Sequence, residues 1–296
     1  MGILSKIGSW VSENIPVVTT VVKKTATLMY KGAEYVEGLL KGREILKEVA
    51  PDIDSEKTLK KKKKGRPNLI DRDEDDDTIY STLSTAINEG KHKLKKVEKE
   101  NVSEHKRIQL QIDIMELIVS AQTVERFTNN INLHAANLQI HLQTIQNTAG
   151  LMDDVNRQRV AVKALMQTVN HLINVTGKSK EIKPLKDLDV NMRPENISIY
   201  GAYEAFENTK NMLIQEIDSF CQTLDGQLET VENVRASARK TPQLMKKINS
   251  WIEGSIEPSL LSAKEEAEEL KGKLTIIPAL ESKLKRQLES SQTVLE

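Results

Sequence analysis

The side chains with the widest chemical range are few in this sequence. Histidines stand at 92, 105, 134, 141 and 171, and none lies three or four residues from another. No helical turn would therefore present the i, i+4 histidine pair that holds a metal ion. His134 and His141 are seven apart, each directly before an apolar position, Ala135 and Leu142. Protonation near pH 6 would put two charges beside an apolar seam and loosen it. Two solvated histidines flanking that seam make the same pattern and are the simpler reading. The single cysteine, Cys221, follows Phe220 on the apolar side of a helical pattern, where a thiol behaves as a small buried apolar group. One cysteine excludes an internal disulfide framework and a multi-cysteine metal site. The 13 glycines never take the spacing of a phosphate-cradling loop. No residue is assigned to catalysis, to a cofactor or to a metal, and the chain is expected not to be an enzyme.

The strongest charge feature is the basic run Lys60, Lys61, Lys62, Lys63 and Lys64 with Arg66, followed by an acidic block from Asp71 to Asp77. Such a run suits nuclear import, an anionic lipid surface or a minor-groove contact. It also suits a solvated linker that pairs with the acids behind it, and residues 50–77 are read as that charged, disordered linker. Basic and acidic residues number 43 each, so no global field points to nucleic acid, which is not an expected partner.

The elements that carry these residues follow from composition and period. Charged residues make up 29% and aromatic residues 3%, with only 8 prolines, which argues against sheet folds and for long helices with narrow apolar stripes. The expected class is all-α, an elongated helical bundle or coiled coil with N-terminal amphipathic helices. Residues 1–49 carry Ile3, Leu4, Ile7, Trp10 and Val11 at helical spacing, then Pro16, then Val18, Val21, Val22, Leu28 and Met29. Pro16 is expected to separate a short helix from a longer one. Between Asn68 and Lys183 no proline occurs. Within that span Leu110, Leu117, Val124, Ile131, Leu138, Ile145 and Met152 are spaced seven apart, and Ile114, Ala121, Thr128, Ala135, Leu142 and Ala149 fall four after each. Six heptads of this 4–3 alternation predict a coiled coil over residues 78–177, with small residues at alternate seam positions. Either one long helix or a hairpin turning near residues 147–153 satisfies the pattern. Residues 178–197 read as a connector. Residues 198–296 read as a C-terminal helical bundle, with Pro242, Pro258 and Pro278 opening successive helices.

Two partners compete for the N-terminal apolar face. Lysines on one side and tryptophan and leucine on the other suit an interfacial helix at a membrane surface. Packing against the coiled coil, in the same chain or in an oligomer, needs the same pattern. The longest apolar run, Ile15 to Val22, is too short for a transmembrane helix, and no secretory signal is read, so an intracellular location is expected. The heptads imply a homo-oligomer joined through Leu110, Ile114, Leu117, Val124, Ile131, Leu138, Leu142, Ile145 and Met152.

The layout of Met1-Gly2, two amphipathic helices and a long coiled coil over residues 1–176 resembles the membrane-penetration and minor capsid proteins of non-enveloped viruses, with the orbivirus outer-capsid penetration protein as the nearest analogy. This chain is shorter and lacks the globular remainder expected there, and no functional residue carries over. The resemblance implies a virion-associated structural role, stabilising a capsid or breaching a membrane, with other capsid or scaffold proteins as partners. The rival expectations are a helical pore-forming toxin and an intracellular coiled-coil scaffold.

Overall fold

A computed structural model describes residues 3–49, 73–96, 102–176, 199–239 and 242–293. The helices are α1 (Ile3–Val49), α2 (Asp73–Lys96), α3 (Val102–Thr176), α4 (Ile199–Ala238), α5 (Pro242–Trp251), α6 (Glu257–Thr275) and α7 (Ser282–Thr293). A π-helical turn, Ile252–Ile256, joins α5 to α6. No strand occurs among the described residues, so the all-α class holds. The run Lys60–Lys64 and Arg66 and the connector at 178–197 lie outside the described residues.

Two prolines and a glycine behave differently from their sequence reading. Pro16 does not divide the N-terminal segment, since α1 continues from Ile3 to Val49 with Pro16 inside it. Pro16 removes the donor that Ser12's carbonyl would use. Both residues lie on the exposed side, where solvent can satisfy that carbonyl, and the buried side of α1 is undisturbed. Gly150 does not turn the chain, because α3 runs unbroken from Val102 to Thr176. The Lys91 ammonium pairs with Glu116 at 2.6 Å, and a Cβ on Gly90 would stand 3.1 Å from Ile112, so α2 and α3 lie side by side on either side of residues 97–101. Helix α2 starts inside the acidic block, at Asp73. Pro278 opens no helix; α7 begins four residues later, at Ser282.

The chain divides into two compact units. One comprises Met1–Val22, His134–Met212 and Lys273–Glu296; the other comprises Lys23–Leu133 and Leu213–Gly272. In the larger, α1, α3, α4 and α6 run antiparallel to their neighbours. From α3 to α4 the links are Ser237 donating to Asp113 at 2.8 Å, the Phe127–Phe220 rings 5.9 Å apart and Asn130 donating to Glu216 at 2.8 Å. From α4 to α6 they are the pairs Lys271–Asp218 and Lys264–Asp225, each at 2.6 Å, and Arg235–Glu257 at 2.6 Å. Its core holds Leu28, Tyr35 and Leu39 of α1, Leu110, Ile114, Leu117 and Val124 of α3, and Leu224, Val231, Leu260 and Leu270. In the smaller unit the core holds Ile7, Trp10, Val11, Val18 and Val21 of α1, Leu138, Leu142 and Ile145 of α3, Tyr203 and Phe206 of α4, and Leu280, Leu284 and Leu288.

Candidate functional site

The candidate site is the apolar face of α1, because membrane contact and internal packing make opposite demands on it. Of its predicted membrane residues, Ile7, Trp10, Val11, Val18, Val21 and Leu28 are buried. Leu4, Val22 and Met29 are partly exposed, and Ile3 begins the helix. Trp10 sits in a built socket. Its ring meets Tyr203 edge-on at 5.6 Å and Phe206 at 5.5 Å, the T-shaped geometry that aromatic quadrupoles favour. Its indole N–H donates to the Pro278 carbonyl at 2.9 Å. Proline explains that segment: it holds residues 276–281 out of helix, which leaves its carbonyl open to a side-chain donor. The Leu280 N–H donates to the Tyr203 hydroxyl at 3.1 Å, and burial pushes that phenol up to about 12 despite this bond.

In the larger unit α1 approaches its neighbours through missing side chains. A Cβ on Gly32 would stand 2.6 Å from the Thr128 methyl. One on Gly38 would lie 3.1 Å from the Ser255 carbonyl oxygen, and one on Gly42 would lie 2.5 Å from the Trp251 ring. The Trp251 indole N–H donates to the Gly38 carbonyl at 2.7 Å. Gly38 and Gly42, four residues apart on α1, thus receive the end of α5 and the π turn. That turn widens the helix by one residue, closing with Glu257 N–H on the Ile252 carbonyl, just before Pro258. Pro258 cannot supply the next regular bond, so the wider turn lets the chain carry it without stopping.

The polar side of α1 is engaged with carboxylates. Lys24 donates to Glu266 at 2.9 Å and to Glu269 at 2.7 Å, and these bonds, the one to Glu269 first, hold its ammonium above the ordinary lysine value. Lys6 pairs with Glu281, Lys31 with Glu34 and Lys41 with Glu37. A basic helix face that meets anionic lipid would present these ammonium groups to phosphates instead.

The heptad residues Leu110, Ile114, Leu117, Val124, Ile131, Leu138, Leu142 and Ile145 are buried, and Met152 is partly exposed. The chain's own helices cover this seam. The small residue Thr128 in it receives Gly32 of α1, which is the close approach the alternating small residues anticipate. His134 and His141 are partly exposed beside it. Cys221 is partly exposed, and burial pushes its thiol up to about 11, away from the reactive thiolate form. Among the described residues no group of three or more His, Cys, Asp or Glu could hold a metal ion, and no helix is long and apolar enough to cross a membrane. A groove of about 500 Å³ lies against Met29, Gly32, Val36, Tyr80 and Thr128, with Glu37 and Glu125 also on its wall. The Trp251 socket had no distinguishing mark in the sequence. Comparison with known protein families, with characterised proteins and with solved structures finds no match to this chain.

Proposed function

We propose that this chain is a non-enzymatic structural protein, a helical assembly component in which α1 serves as an internal strut. The observation that carries the reading is the occupancy of α1: Trp10 fills a three-sided aromatic and carbonyl socket, and Gly32, Gly38 and Gly42 seat other helices against its backbone. Burying a face this long is worth roughly 2 kcal/mol for each large side chain, so α1 is a major part of the fold's stability.

A second reading, membrane disruption, requires α1 to leave its packing. It is favoured by Pro16 inside α1, which removes one backbone donor from the helix. Dye release from anionic and neutral liposomes separates the two. The structural reading expects no leakage by the full chain at neutral or endosomal pH. Leakage by the full chain that stops in a Gly32→Cys/Thr128→Cys disulfide variant and returns with reductant would establish the membrane reading. The two Cβ positions, 3.6 Å apart, suit that bond.

A further inference from the structure

The seam that the chain covers ends at Ala149; beyond it, no described side chain of α3 is buried. At that point a different face of α3 turns apolar. Counted in heptads, the positions His134, Asn137, His141, Thr144 and Thr148 continue as Leu151, Val155, Gln158, Val162, Leu165, Val169 and Leu172. The first five are polar; six of the next seven are aliphatic. Leu151 is 55% exposed and Leu165 is 61% exposed, values that large aliphatic side chains hold only at a cost in water.

The residue types at these positions are not interchangeable. Val155, Val162 and Val169 occupy the a positions, and Leu151, Leu165 and Leu172 the d positions, the combination that favours two parallel strands. Gln158, at a d position, is the one polar seam residue. Asp154 falls at g and Arg159 at e, five residues on. In a parallel, in-register pair these two meet across the seam twice, once on each side. We infer that residues 151–172 of α3 form a parallel two-stranded coiled coil with a second copy of this chain. The inference rests on the assembly reading and names its partner. It uses α3 alone, so it is tested without lipid, and its failure leaves the role of α1 to be judged separately.

Sedimentation of the full chain across the micromolar range tests it. The expected result is a dimer that dissociates on dilution, and a Leu165→Glu chain that stays monomeric with unchanged helicity and melting, since that side chain takes no part in the core. Asp154→Lys should weaken the dimer, and Asp154→Lys with Arg159→Glu should restore it. A Cys221→Ser/Leu165→Cys chain should form a symmetric disulfide on mild oxidation, which only a parallel in-register pairing allows at this position. A monomeric full chain would overturn the inference and assign the stripe to another segment of the same chain. A dimer indifferent to Leu165→Glu would overturn it as well.

Discussion

Trp10 separates the two roles of α1 most sharply at the level of a single residue. A tryptophan waiting for lipid on an exposed face contributes little to folding, within about 0.5 kcal/mol on substitution. In its socket, Trp10 packs on Tyr203 and Phe206 and satisfies the Pro278 carbonyl. Trp10→Ala should therefore cost about 3–5 kcal/mol in urea unfolding, the usual range for a buried aromatic truncated to alanine. Glycines give a second residue-scale contrast. Alanine is favoured over glycine in a helix by about 1 kcal/mol, and a Cβ on Gly226 meets nothing within 4 Å, so Gly226→Ala should stabilise by about that amount. At Gly42 the same Cβ would collide with the Trp251 ring, so Gly42→Ala should destabilise by about 1–3 kcal/mol despite the better propensity. Urea midpoints moving in opposite directions for these two substitutions would confirm the close approach; movement in the same direction would refute it. Neither socket was legible in the sequence, because which glycine faces open space and which faces a ring depends on the neighbour that tertiary packing delivers.

At the scale of elements, the helical class and the buried stripe of α3 were legible, because a 4–3 apolar alternation over six heptads has no other economical structure. Its partner was not. A seam at this spacing is equally suited to a second chain or to helices of the same chain, and here α1 and α4 of the same chain pack against α3. Breaks were the least legible feature. Pro16 and Gly150 are breakers by type, yet each falls on an exposed side of its helix, where a lost bond or a missing side chain disturbs no packing. Pro16→Ala restores the missing donor and should raise stability by about 2 kcal/mol, part of the roughly 3 kcal/mol that separates proline from alanine in a helix interior. Thermal melts of the two chains measure this. An unchanged or lower midpoint would mean that α1 is not held as one helix. If α1 does leave its packing at a membrane, the same substitution should also suppress dye release.

For the whole molecule, each of the two compact units draws on both the N-terminal helix and the C-terminal helices, so each joins stretches that lie far apart along the sequence. Segments far apart in sequence are joined by specific bonds, such as Trp10 to Pro278 and Trp251 to Gly38. These long-range contacts make removal of residues 1–49 a loss of core, where a peripheral membrane anchor would be dispensable. A chain of residues 50–296 should show weaker helicity and lose cooperative melting, as followed by circular dichroism; a cooperative melt near that of the full chain would contradict the strut role.

The most direct test of that role places a lipid-borne quencher next to the tryptophan in dispute. The full chain, and a Trp251→Phe chain in which Trp10 is the sole indole, would be mixed with anionic vesicles carrying brominated lipids at neutral and endosomal pH. An internal strut predicts that Trp10 emission stays blue-shifted and unquenched in both chains. Quenching of Trp10 by the brominated tails would contradict it and establish that α1 gives up its socket for the bilayer.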